Sequence, residues 1–174
     1  MANIYEQNLD ANPANFVALS PVSFVERTAE VFGDLLAVVH GTRRYTWRET
    51  RDRSARLAAA LKSLGIDRGD TVSVLLPNTP EMIEAHYAVP ALNAVLNTLN
   101  TRLDATLLAW QMNHCEAKVL ITDTEFSVTA TEAVRLLAAH HGREVVVINV
   151  QDSQYHGPRM PIEGLEYESW LAAH

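Results

Sequence analysis

Leu92-Asn93-Ala94-Val95-Leu96-Asn97-Thr98-Leu99-Asn100-Thr101-Arg102-Leu103 is the stretch on which the fold turns. Val95 to Leu99 is a short run of β-forming residues that leaves a helical pattern and ends in the polar corner Asn100-Thr101-Arg102. Asp104 then caps a new helix. In a parallel α/β sheet, ligands sit where the carboxyl end of a strand feeds a helix start. Arg102 is placed there to meet an anionic group, and its planar fork suits phosphate better than a lysine would. The alternative is a surface arginine paired with a neighbouring acid, which has no function beyond solubility.

The same unit repeats on both sides of this stretch. Upstream, Thr71 to Leu76 is nearly all apolar, as expected of a strand buried on both faces. Pro77-Asn78 turns, Thr79 is the expected cap, and Pro80 takes the first position of a helix running toward Leu92. Pro90 should kink that helix or finish it early. Downstream, a helix from Asp104 carries Leu107, Leu108, Met112 and Cys115, and Lys118 to Thr122 is the next strand, with Asp123 at its carboxyl end. Ser127 to His141 is helix-forming and stops at Gly142, and Glu144 to Val150 is the fourth strand. Strand then helix at nearly even spacing predicts an α/β fold, a mostly parallel sheet with flanking helices and right-handed crossovers.

Before the repeat, residues 1–20 read as an extended arm broken by Pro13, and Ser23 to Val31 as a short helix ended by Gly33. Leu36 to His40 and Arg44 to Trp47, separated by Gly41-Thr42-Arg43, form an N-terminal β-hairpin. Thr46-Trp47-Arg48-Glu49 fits a capping box. Its helix places Trp47, Thr50, Ser54, Leu57, Ala58, Leu61 and Leu64 on one face and stops at Gly65. Arg48, Arg51, Arg53 and Arg56 lie around the rest, the pattern of a solvated face rather than an anion site. After the subdomain at 21–150, residues 151–174 read as a surface loop and a short terminal helix, Tyr167 to Ala173, packed through Trp170 and Leu171.

The 174 residues suffice for one domain with a sizeable core, or most of one. A net charge of −7 argues against nucleic acid as the main partner, since phosphate binding needs a basic face. No apolar run approaches the roughly 20 residues of a membrane span. Cys115 is the single cysteine, which excludes an internal disulfide and points to a reducing, cytoplasmic setting.

Several chemistries are missing. There is no Walker-type lysine loop, no glycine fingerprint after a strand and no serine elbow. His140 and His141 are adjacent and point to different helix faces, so they do not share a metal easily. His114 beside Cys115 at a helix end fits a favourable dipole contact better than a ligand. No catalytic residue and no metal ligand is assigned.

Tyr45-Thr46-Trp47-Arg48-Glu49, then Gly69-Asp70-Thr71-Val72-Ser73-Val74-Leu75-Leu76-Pro77-Asn78, then Ala94 to Leu103, then Glu116-Ala117-Lys118-Val119-Leu120-Ile121-Thr122-Asp123 resemble, in order and spacing, the amino-terminal portion of the adenylate-forming (AMP-binding) acyl-CoA synthetases. The likeness is strongest to the fatty-acid and related carboxylic-acid CoA ligases and covers about Ser20 to Val150. It implies the first α/β subdomain of that fold. It also implies a parent activity, formation of an acyl-adenylate from a carboxylic acid and Mg-ATP followed by transfer to coenzyme A. The family's phosphate loop and mobile carboxyl-terminal domain are not in this stretch, so the resemblance implies a fragment that is inactive alone, with the remaining subdomains of the parent as partners. It further implies that Arg102 contacts the phosphates of coenzyme A. Asn93 stands where relatives usually have glycine, and asparagine tolerates the left-handed backbone expected there.

The competing reading is a stand-alone α/β binding or oligomerisation module without catalysis. A helix over Pro80 to Leu92 that is apolar nearly all round predicts an open face and self-association through Met82, Ile83 or Tyr87.

Overall fold

The computed structural model describes residues 7, 8, 10, 12–14, 16, 17 and 19–174, so the arm expected over residues 1–20 falls partly outside the described residues. From there the chain forms α1 (Pro21–Val31), β1 (Leu36–His40), β2 (Arg43–Thr46), α2 (Trp47–Ser63), β3 (Thr71–Leu75), α3 (Pro80–Ala91) and β4 (Val95–Thr98). It continues with α4 (Ala105–His114), β5 (Ala117–Asp123), α5 (Ser127–His141), β6 (Val146–Val150), β7 (Leu165–Glu166) and α6 (Tyr167–Ala172). β1 and β2 pair antiparallel as a separate hairpin. The other five strands form one sheet in the order β4-β3-β5-β6-β7. Every neighbour in it is parallel.

Strand periodicity divides the core into two layers. Val72, Val74, Val119, Ile121, Ile148 and Val150 face one side, against Leu57 and Leu61 of α2, Ala85 and Val89 of α3, and Leu171 of α6. Leu75 and Leu120 face the other, against Leu108 and Met112 of α4 and Ala130 and Leu137 of α5. Because both faces are covered, the strands need no polar alternation, and all five residues of β3 are buried. The chain enters at β3, turns outward to β4, then crosses back to β5. Neighbours β3 and β5 therefore send their helices to opposite faces, which creates the crevice at their carboxyl ends where doubly wound sheets bind ligands.

Local chemistry sets the boundaries. The Thr46–Glu49 capping box closes in both directions, Thr46 N–H to Glu49 at 2.7 Å and Glu49 N–H to the Thr46 hydroxyl at 3.2 Å. Asn93 has a φ of 56°, the left-handed turn in which asparagine replaces glycine at modest strain. Thr79 occupies the cap position of α3, yet its hydroxyl makes no capping bond. The Met82 amide that it would accept is taken by its own carbonyl at 3.1 Å. Pro90 sits in the last turn of α3, and the helix ends one residue later, at Ala91.

Two expectations are corrected. The open face on α3 is narrower than expected: Met82 is half-buried against the core, and Tyr87 is half-buried in a groove with α1 and α2. Only Ile83 of the three is exposed, at 38%. The tail also does more than loop across the surface, since Leu165–Glu166 adds a fifth strand. Gly164 permits it: a Cβ there would lie 2.3 Å from the Val147 carbonyl oxygen, too close for any side chain.

Candidate functional site

The corner after β4 is a four-residue turn, with the Leu103 amide donating to the Asn100 carbonyl at 3.2 Å. The Asn100 side chain accepts the Arg102 amide at 3.0 Å. Leu99 below is buried and donates to the Val74 carbonyl at 2.9 Å, which ties the corner to β3. Above it, the Asp104 carboxylate caps α4 through the Leu107 amide at 2.9 Å. Arg102 is exposed. Among the described residues its guanidinium forms no ion pair: the salt bridges all belong to other cations. The neighbouring acid invoked by the solubility reading is absent from it.

The crevice between β3 and β5 is built differently. Asp123 at the end of β5 is fully buried, as are Thr124 beside it and Thr79 and Glu81 at the start of α3. Each has one side-chain oxygen closed off without a hydrogen-bond partner: Asp123 Oδ2, Thr124 Oγ1, Thr79 Oγ1 and Glu81 Oε2. The hairpin is tethered across this end of the sheet. Arg43 of β2 pairs with Glu81, on the β3 side. His40 of β1 places Nε2 2.9 Å from both oxygens of Asp152, just beyond β6. Burial raises the Asp123 carboxyl above the usual range, and the Glu125 and Asp152 amides only partly oppose it. Asp152 goes the other way: burial pushes it up, but the Gln154 amide and His40 reverse that, and its pKa falls. Where the topology offers a ligand crevice, this chain's own hairpin reaches in with Arg43 and His40.

An ionic junction continues from Arg43 toward α6. Arg53 donates to Glu84 at 2.5 Å and to Glu168 at 2.6 Å. The buried Tyr167 hydroxyl also donates to Glu84, at 2.6 Å. Arg43 and Arg53 lie over the Tyr45 ring at 5.5 and 5.1 Å. Burial raises Glu84 more than Arg53 and Tyr167 lower it. A cavity of about 200 Å³ opens beside Arg43, Tyr45, Glu81, Tyr167 and Glu168, but its charges are already paired with one another. The solvated-face reading of the α2 arginines therefore holds for Arg48 and Arg51, whose acids are exposed, and fails for Arg53. The signal available in the sequence was Glu81 and Glu84, two acids one turn apart in an otherwise apolar helix.

The histidines make no site. His114 stacks on Trp110 at 5.0 Å, in the last turn of α4. Among the described residues no three His, Cys, Asp or Glu side chains are arranged to hold a metal. Cys115 is free and accepts from the Asn97 side-chain Nδ2 at 3.2 Å.

The residue profile of the AMP-binding enzyme family matches positions 25–170, which take in the sheet, the hairpin and most of α6. The chain belongs to that family. A peroxisomal butyrate–CoA ligase of Arabidopsis thaliana is 42% identical over 149 residues, 84% of this chain and 26% of the relative. A peroxisomal benzoate–CoA ligase of Arabidopsis thaliana is 41% identical over 156 residues, 89% of this chain and 27% of the relative. In fold, the chain is similar to an anthranilate CoA ligase solved with anthranoyl-AMP. The TM-score is 0.74 at 23% identity, over 87% of this chain and 27% of that one. The chain thus spans about a quarter of the length of the curated relatives it matches. No helix among the described residues is long and apolar enough to cross a membrane.

Proposed function

We propose that this chain is the first α/β subdomain of an ATP-dependent acid–CoA ligase, and that Arg102 in it contacts the phosphates of coenzyme A. The carrying observation is the β4–α4 corner, a fixed turn at the carboxyl edge of the sheet with an exposed guanidinium that no described acid claims. In the full-length ligase, ATP, Mg and a carboxylic acid form the acyl-adenylate, and coenzyme A then takes the acyl group. The butyrate and benzoate ligases among the relatives support a carboxylic-acid substrate. The chain alone is inactive on this reading, because it has no lysine-bearing phosphate loop. The use of a single cysteine in the chain fits a reducing, cytoplasmic setting.

The test is Arg102→Ala in the full-length ligase. Loss of a charge-assisted bond to phosphate, about 1.5–3 kcal/mol, should raise the KM for coenzyme A roughly tenfold to hundredfold and leave adenylate formation nearly unchanged. An equal fall in both half-reactions overturns the assignment. Pyrophosphate release by the 174-residue chain given ATP and a panel of carboxylic acids would overturn the inactivity. Self-association through α3, expected at Met82, Ile83 or Tyr87, would use Ile83, the exposed member of the three. A clean monomer in sedimentation would exclude it.

A further inference from the structure

We infer that Asn100 is a positioning residue for Arg102, acting by fixing the backbone from which the guanidinium reaches its anion. The inference rests on the reading of Arg102 as a coenzyme A phosphate contact.

Residues 100–102 are all exposed, so packing does not hold them. Their ends are anchored instead. Leu99 is buried and hydrogen-bonded to β3, and Leu103 packs against the layer formed by α4 and α5. Between these anchors the Arg102 amide has one partner, the Asn100 side-chain oxygen at 3.0 Å. With the Leu103-to-Asn100 bond at 3.2 Å, this closes two rings around Thr101 and Arg102. A side-chain oxygen that accepts the amide two residues on reproduces a backbone turn, and asparagine is among the few residues able to do so. The turn restricts the Arg102 backbone and leaves the side-chain torsions as its main freedom. Asp104, two residues further on, caps α4 through the Leu107 amide at 2.9 Å and makes no ion pair with the guanidinium.

Without the Asn100 oxygen the corner stays attached at both ends, but Arg102 samples a wider range. Part of its affinity for an anion is then spent on ordering it. A neutral hydrogen bond of this kind corresponds to about a threefold to tenfold effect, smaller than removal of the arginine itself.

The experiment is a double-mutant cycle on Asn100 and Arg102 in the full-length ligase, read as KM for coenzyme A, kcat and the rate of adenylate formation. Asn100→Ala is expected to raise KM about threefold to tenfold, with kcat and adenylate formation unchanged. In an Arg102→Ala background it should have no further effect, because a residue acting through the arginine has nothing left to position. Asn100→Ser keeps an acceptor oxygen and should recover part of the lost affinity, and it carries the cycle should Asn100→Ala fail to fold. Equal effects in the two backgrounds make Asn100 merely structural and overturn the inference. So does an unchanged KM for Asn100→Ala where Arg102→Ala raises it, an outcome that leaves the role of Arg102 standing. If Arg102→Ala itself leaves KM unchanged, both readings fall.

Discussion

The carboxyl edge of this sheet is finished in two ways. At β4 it is open, with an exposed Arg102 that has no acid partner among the described residues. At β3 and β5 it is spanned by the chain's own hairpin, whose Arg43 pairs with Glu81 and whose His40 hydrogen-bonds Asp152. The second place is the topological switch point, where position alone predicts a ligand. The difference is that the hairpin already engages two of the crevice acids, while Asp123 there keeps one buried oxygen without a partner. Glu81 and Asp152 already have partners there, so an incoming cation or anion would have to displace one.

Several measurements can break or sharpen this contrast. The largest effect should come from Arg43→Ala, which leaves Glu81, 2% exposed and with one oxygen already unpartnered, as an uncompensated buried charge. Removing one member of such a pair costs about 3–5 kcal/mol, visible in chemical denaturation. A loss below about 1 kcal/mol would mean that the hairpin does not hold the crevice closed.

A pH series separates the two acids under the hairpin. The folded pKa of Asp123 is raised, so the stability it contributes is full below its unfolded value of about 4 and is lost as pH climbs through the folded value. The folded pKa of Asp152 is lowered, so its contribution is full above about 4 and is lost as pH falls through the folded value. Asp123→Asn should therefore flatten the decline in stability above pH 4 and be neutral or stabilising at pH 7. Asp152→Asn should destabilise at pH 7 and become harmless in acid. Melting temperatures of both variants from pH 3 to 8 that move in parallel would count against this assignment of the two acids.

The smallest effect is the other half of the comparison. Arg102→Ala removes an exposed side chain with no described ion pair and should change stability by less than about 0.5 kcal/mol. A loss above 1 kcal/mol would show that Arg102 supports the corner and is not held ready for a ligand.

Much of this architecture is local and was legible in residue order. Four of the strands in the parallel sheet, their helices, the hairpin and the Thr46–Glu49 box follow from periodicity and capping, which act between residues within a few positions of one another. The polar corner at Arg102 follows from the same local pattern, whereas the left-handed turn at Asn93 was expected only from the family resemblance. The hydroxyl of Thr79 shows the limit of that logic, since the residue's own carbonyl took the Met82 amide. What only the tertiary structure decided is which distant charges meet. Arg43 finds Glu81 across 38 positions, Arg53 finds Glu168 across 115, and His40 finds Asp152 across 112. β7 belongs with these. Two residues carry no period to detect, and the strand exists because Gly164 lets the tail approach β6. Pairings of this kind depend on sheet order and on the path of the hairpin, and neither is written in a local pattern.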